Sequence, residues 1–210
     1  MERKITKPTR TLPETYTPVG TIDLEKDWRA LVAVNVLALL LLFCFGELFY
    51  RVLTWIRPSD YQRGMVVQAG STIDALILVG ILLVLMAVMV VLHEALHGVC
   101  FWGFTRVQPR FAFKGAYAYA ALPDWFLPRG QYLVTALAPF FGISILGLLL
   151  LAVVPPAWFL AVLVVMVFNA SGAAGDLVVA GWLLLQPPGT YVQDRGDSVS
   201  FYKPANTPLP

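Results

Sequence analysis

The chain has 210 residues, of which 58% are hydrophobic and only 13% are charged, and its formal net charge at pH 7 is +2. This composition excludes an ordinary soluble globular domain and is typical of an integral membrane protein. So small a net charge gives no support for a nucleic-acid partner, and the length leaves room for a few spanning helices but for no large soluble domain beside them.

Four apolar segments are each long enough to cross a hydrocarbon core, which takes roughly 20 residues. A polar, basic N-terminal segment, residues 1–29, precedes them and lacks the apolar core and cleavage site of a signal peptide. We therefore predict an all-α integral membrane domain with four transmembrane helices. A polar, proline-containing tail, residues 186–210, follows and is expected to be disordered or draped on the surface. The predicted spans are 30–55, 73–102, 132–154 and 157–185.

A short β-hairpin is predicted between the second and third spans, at about 106–122. Aromatic and small residues alternate there around a Lys-Gly pair, and a period of two indicates strands. This hairpin either covers lipid or helices, or it offers a strand edge to an extended substrate segment. Its aromatic residues are expected to share one face: Phe111, Phe113, Tyr117 and Tyr119.

The distribution of basic residues predicts the orientation in the membrane. The N-terminal segment and the loop after the second span lie on one side and carry Arg3, Lys4, Lys7, Arg10, Lys26, Arg29, Arg106, Arg110, Lys114 and Arg129. The other side carries Arg51, Arg57 and Arg63. The positive-inside rule then places both termini in the cytoplasm.

The second span contains the segment His93-Glu94-Ala95-Leu96-His97. Two histidines four residues apart lie on one helix face, one turn apart, where both imidazoles can reach one Zn²⁺ ion. The intervening glutamate can accept a proton from a water that the metal activates for attack on a carbonyl group. We therefore predict His93 and His97 as zinc ligands and Glu94 as the general base.

Two observations favour a metal site over a polar patch that merely joins helices. The chain has only two histidines, and both belong to this segment. The segment also lies inside an apolar span, where ionisable side chains are costly to bury and mark functional sites by default.

A catalytic zinc ion normally has three protein ligands and one open position. With no third histidine, a carboxylate must complete the set, and the spans offer Glu47, Asp74 and Asp176. At 1.5 Å per residue, His93 lies about 30 Å into the second span and Asp176 about 28 Å into the fourth, which runs in the same direction. The other two carboxylates lie near the opposite membrane surface, so we predict Asp176 as the third ligand.

Small residues fill the stretch 169–176, and they allow close helix approach and a local break in the helix. Asn169 lies seven residues before Asp176 and therefore on the same helix face. Two roles are open for Asn169. It either hydrogen-bonds the substrate backbone or a developing oxyanion, or it bridges two helices.

At these positions the chain resembles site-2-protease-type intramembrane zinc peptidases, and still more the small zincin peptidases of bacterial membranes. The resemblance covers about 73–185 and rests on the His-Glu-Ala-Leu-His-Gly segment and on an asparagine and a Gly-Asp pair two spans later. Site-2 proteases typically have a proline after the asparagine and a Leu-Asp-Gly triplet, from which this chain departs. The resemblance implies a bacterial plasma-membrane location, a base at Glu94 and three zinc ligands, His93, His97 and Asp176.

These observations predict a membrane-embedded zinc metallopeptidase that hydrolyses peptide bonds of membrane proteins or peptides near the cytoplasmic border of the bilayer. Two other classes also fit a metal site, namely a zinc transporter or sensor and a non-catalytic membrane scaffold. A transporter needs polar residues along a pathway, whereas the outer halves of the second and fourth spans are almost wholly apolar. A scaffold has no need of a glutamate at position 94.

Overall fold

The structure is a computed structural model that describes residues 6–23, 25–64, 71–115 and 117–205. Predictions that involve Arg3, Lys4, Ala116 or residues 206–210 therefore lie outside the described residues. The helices are α1 (Trp28–Ile56), α2 (Tyr61–Gly64), α3 (Thr72–Thr105), α4 (Arg129–Val153), α5 (Phe159–Gly172) and α6 (Ala174–Leu184). The strands are β1 (Tyr16–Asp23), β2 (Arg110–Phe113), β3 (Ala118–Ala121), β4 (Phe126–Pro128), β5 (Tyr191–Asp194) and β6 (Ser198–Pro204).

Three helices, α1, α3 and α4, are long and apolar enough to cross a membrane. The segments Pro156–Gly172 and Ala174–Leu184 make a fourth candidate span only if they count as one, because a bend of 46° separates them. The break falls at Ala173, inside the small-residue stretch. The expectation of a mostly helical chain with spans of this kind is confirmed, while the number of four crossings stays a prediction.

The chain divides into two compact units, each made of several segments. The first comprises residues 1–35, 94–138 and 175–210, and the second comprises residues 36–93 and 139–174. The helices α1, α3, α4 and α6 each contribute residues to both units.

The first unit contains a four-stranded antiparallel sheet in the order β1-β6-β5-β4. Its core joins the sheet to the helices, because Phe101 of α3, Tyr132 of α4 and Leu183 of α6 are buried in one cluster with Phe201 of β6. Trp182 adds a ring contact, with its centroid 3.9 Å from that of Phe201.

This sheet corrects two expectations, the all-α fold class and the disordered or surface-draped tail at 186–210. Strands β5 and β6 lie in that tail, and they bury Tyr191, Val192 and Phe201 almost completely. Gly196 forms the turn between them with a φ of 91°, a conformation that glycine adopts without strain. The polar composition of the tail concealed the residues that these two strands bury.

The strands β2 and β3 form a separate two-stranded antiparallel sheet. Phe113 lies opposite Ala118, and Ala112 lies opposite Tyr119. Directly opposed residues point to the same face, so Phe111 and Phe113 lie on one face and Tyr119 on the other. The prediction of a single aromatic face is wrong because the connection of four residues shifts which positions oppose each other.

The second unit contains closely packed parts of α1, α4 and α5. Gly147 of α4 permits the closest approach, since a Cβ atom at this position would lie 2.3 Å from the side chain of Met166. The Ser171 hydroxyl on α5 donates a hydrogen bond of 2.9 Å to the Ala38 carbonyl on α1. Small residues thus allow backbone contacts that larger side chains would prevent.

Arg57 covers the C-terminal end of α4. Its Nη1 donates to the carbonyl oxygens of Ala152 at 3.0 Å and Val154 at 3.3 Å, while Nη2 lies 2.8 Å from Asp60 Oδ2. The last carbonyls of a helix have no intrahelical donor, and a cation is favourable there. The guanidinium also lies over the Phe159 ring, at 5.1 Å from its centroid. Arg57 therefore joins the loop after α1 to the end of α4.

We expect Arg57→Ala to lower the free energy of unfolding by about 1–3 kcal/mol, because it removes the donors to the carbonyl groups of Ala152 and Val154. Arg51→Ala is the matched control, since this side chain is 75% exposed and pairs with Glu47 one turn away on the same helix. An exposed pair of this kind contributes about 0.3–0.5 kcal/mol. Unfolding by denaturant in detergent micelles would measure both, and equal losses would contradict the capping role.

Candidate metal centre

The structure brings His93, His97 and Asp176 together. One ligand atom from each residue lies within 4.8 Å of the others, and His97 Nε2 is 3.4 Å from Asp176 Oδ2. Ligand atoms in a tetrahedral zinc site, at 2.0–2.2 Å from the metal, are about 3.4 Å apart. The spacing therefore suits three ligands of one zinc ion.

Local structure explains how these side chains reach each other. Both histidines lie on α3 with a spacing of four residues, and both are buried, at 8% and 9% exposure. Asp176 lies in the first turn of α6, directly after the break at Ala173, and its side chain is 25% exposed. An acidic residue is favourable at this end of a helix, so the break both turns the chain and places the carboxylate.

His97 has a defined tautomer. Its Nδ1 atom lies 2.9 Å from the carbonyl oxygen of Thr135 on α4. A carbonyl oxygen can only accept, so Nδ1 carries the proton, and Nε2 is the nitrogen that would bind a metal.

Asn169 fixes His93 in the same way. Asn169 Nδ2 donates to the carbonyl oxygen of Pro139 at 3.1 Å, which sets the orientation of the amide. The amide oxygen Oδ1 then lies 3.0 Å from His93 Nδ1, so this nitrogen also carries the proton and would leave Nε2 for the metal. Metal-binding histidines usually donate their other N–H to such an acceptor, and the donor set therefore fits a metal ion.

These contacts bear on the predicted role of Asn169. The side chain is fully buried, and it forms hydrogen bonds that join α5 to α3 and to α4. They match the alternative in which Asn169 bridges helices. A role in positioning substrate stays a prediction.

The other carboxylates that the sequence analysis considered differ in their distance along the chain from the two histidines. Glu94 follows His93 on α3 and is half-buried, which keeps it next to the candidate ligands. Asp74 accepts a hydrogen bond of 2.9 Å from the Ser71 hydroxyl, and Glu47 pairs with Arg51. Among the described residues, the metal-ligand cluster therefore includes Asp176 and neither Glu47 nor Asp74.

Asp194 on β5 is a half-buried carboxylate in the tail that the sequence predicts to be polar. It accepts hydrogen bonds from the Tyr132 hydroxyl at 2.6 Å and from the Gly196 N–H at 2.8 Å. Burial is the largest influence on the pKa of Asp194 and raises it, and the negative charge of Asp176 raises it further. The two hydrogen bonds and the charge of His97 lower this pKa. Because Asp194 is close enough to sense both candidate ligands, its charge would favour a cation in the site. In the sequence, the Asp-Arg-Gly turn and the alternation of polar and apolar residues after it were the signal that could have indicated a β-hairpin here.

Gly98, directly after His97, lets β2 pack against α3. A Cβ atom at Gly98 would come 2.5 Å from the Phe111 ring. An open apolar groove of about 300 Å³ adjoins this contact, but Val99 and Trp102 place it on a different face of α3 from the histidines. The groove is therefore no part of the metal centre. Its lining residues are Ala95, Gly98, Val99, Trp102, Gln108, Pro109 and Phe111.

We expect Asp176→Ala to weaken zinc binding by at least about 100-fold, because it removes one of three protein ligands. Asp74→Ala, which removes an aspartate at the first turn of α3 instead, should leave zinc affinity unchanged. Competition with a chelating dye on the purified protein would measure both affinities. Stoichiometric zinc of unchanged affinity in Asp176→Ala would show that another residue is the third ligand.

Residues 86–191, half of the chain, match the family model described as "Putative zincin peptidase". The matched range contains both histidines, Glu94, Asn169 and Asp176. Neither the curated proteins nor the solved structures contain a significant match to the chain. The family implies zinc, and the site-2-protease likeness stays a prediction. On the family match, this chain belongs to the zincin peptidase family.

Proposed function

We propose that the chain is a membrane-embedded zinc metallopeptidase, which hydrolyses peptide bonds of membrane proteins or peptides near the cytoplasmic border of the bilayer. One observation carries the proposal. Two imidazoles with defined tautomers and one carboxylate converge within 4.8 Å in a chain of the zincin peptidase family.

The donor set suits a catalytic zinc site better than a structural one. His93, His97 and Asp176 would hold the ion, and three protein ligands leave a fourth position for water or substrate. When bound, zinc supplies Lewis-acid polarisation of the substrate carbonyl and makes an attacking water more acidic.

Glu94 is the residue that would move protons. Its carboxylate accepts a proton from the attacking water and then passes it to the nitrogen of the departing amine. His93 and His97 keep their Nδ1 protons in hydrogen bonds, so neither ring rotates during this exchange. The two roles, holding the ion and moving the proton, thus fall on different residues of one helix turn.

The proposed location follows from what surrounds the site. His97 and Asp176 belong to the same unit as the polar four-stranded sheet, and water would approach them from that side. The excess of lysine and arginine in the N-terminal segment and in the loop after α3 supports a cytoplasmic position for this side.

Glu94→Gln should keep the fold and bound zinc but lower the rate of peptide hydrolysis by about 10²–10⁴-fold, because the amide cannot accept the proton. Glu47→Gln on α1 is the matched control and should retain activity. The measurement is cleavage of a fluorogenic membrane-peptide library in detergent and in liposomes, together with zinc content.

The same two variants separate the other classes of function. Cleavage that persists in Glu94→Gln would overturn the mechanism. Zinc flux into proteoliposomes, equal in wild type and Glu94→Gln, would indicate a transporter. A protein that binds no zinc at micromolar metal would fit a scaffold and would contradict the proposal.

A further inference from the structure

We propose that Pro139 is the positioning residue that orients both histidines, through two backbone carbonyl groups of α4. The inference rests on the proposed function only for the identity of the ion as zinc. Pro139 lies within α4, where a proline normally destabilises the helix because it lacks the N–H that the ladder requires.

The first carbonyl group is that of Thr135. In a regular helix the N–H of residue 139 would donate to the carbonyl oxygen of residue 135, four positions earlier. Proline has no such hydrogen, so this oxygen loses its donor within α4. His97 Nδ1 lies 2.9 Å from that same oxygen and takes the place of the absent N–H. Neighbouring helices satisfy backbone groups that prolines release in membrane helices, and here a histidine does so.

The second carbonyl group is that of Pro139 itself. It accepts a hydrogen bond of 3.1 Å from Asn169 Nδ2. This bond turns the amide so that its oxygen faces His93 Nδ1 at 3.0 Å. Pro139 thus leaves the Thr135 carbonyl oxygen free to accept from His97, and it orients the Asn169 amide oxygen that accepts from His93. Both imidazoles then present Nε2 as the ligand atom.

Pro139→Ala tests the first link. Alanine restores the N–H, which then competes with His97 for the Thr135 carbonyl oxygen. The helix should be as stable as in the wild type or more stable, because alanine favours helix over proline. Zinc affinity should nevertheless fall by about 10–100-fold, the range seen when partners of metal-binding histidines are removed. A purely structural role for Pro139 predicts the opposite combination, with lower stability and unchanged zinc affinity.

The matched rescue places lactic acid at position 139 by nonsense suppression. This residue has the side chain of alanine but an ester oxygen in place of the N–H, so it cannot compete for the Thr135 carbonyl. We expect it to restore zinc affinity to the wild-type level. Ser144→Ala, a buried change on the same helix, should leave zinc affinity unchanged.

Nitrogen NMR of histidine-labelled protein gives a readout that needs no peptidase activity. The chain has only two histidines, so the spectrum contains two imidazoles. In the zinc-loaded wild type both should carry a slowly exchanging proton on Nδ1. In Pro139→Ala the Nδ1 proton of His97 should exchange faster, and in Asn169→Ala that of His93 should do so.

The proposal is overturned if Pro139→Ala keeps wild-type zinc affinity and a slowly exchanging His97 Nδ1 proton, or if the lactic acid variant fails to restore them. If Pro139→Ala does not fold, Asn169→Ala and the lactic acid variant still decide. A wild-type His93 signal in Asn169→Ala would then contradict the second link. Lack of peptide cleavage by the wild type would reject the proposed function and leave these zinc and NMR results intact.

Discussion

The fold is constrained by the cost of burying polar groups among apolar helices, which is high unless a group has a hydrogen-bond partner. The hydrogen bond from His97 Nδ1 to the Thr135 carbonyl meets this constraint for two groups at once. It uses a backbone acceptor that α4 does not use itself, and it fixes the ring nitrogen that would bind metal. The pair formed by His93 and Asn169 repeats this solution one turn away. Both depend on the same turn of α4, so the orientation of the two histidines follows from the course of one backbone.

The same constraint explains the positions of two arginines, which the sequence analysis used only to predict the orientation in the membrane. Arg57 donates to carbonyls at the end of α4, and Arg129 donates to those of Leu183 and Leu184 at the end of α6, at 2.8 and 2.9 Å. Each of these two helix ends therefore has a cation beside its last carbonyl groups, where a positive charge is favourable. Because both arginines have this structural use, the other basic residues of the N-terminal segment and the loop after α3 are the main support for the predicted orientation.

Sequence reasoning found the features that local chemistry determines. The apolar segments followed from composition, and the spacing of His93 and His97 followed from helix periodicity. Comparing depths selected Asp176, whose carboxylate lies 3.4 Å from His97 Nε2 in the structure. Such an argument works because helix rise is nearly constant, so residue number converts directly into depth.

Features that depend on contacts between distant segments were not predictable in this way. The four-stranded sheet pairs β1 with β6, which lie at opposite ends of the chain, and their polar composition gives little sign of it. Which residues of the hairpin share a face depends on the length of its turn, and an alternating sequence pattern does not reveal that length. Asp194 gained its place near the site only through the sheet. The use of Pro139 was equally hidden, since the sequence reveals a missing N–H but not the side chain that replaces it.

The sheet also changes what the tail contributes to the site. Tyr132 lies on α4 three residues before Thr135, and its hydroxyl donates to Asp194 on β5. The helix that supplies the acceptor for His97 is therefore joined to the sheet about one turn before that acceptor. Burial opposes the charge of Asp194, whereas a cation in the site would favour it, so metal binding and the packing of β5 should stabilise each other. The strands of the polar tail therefore belong to the surroundings of the candidate metal centre.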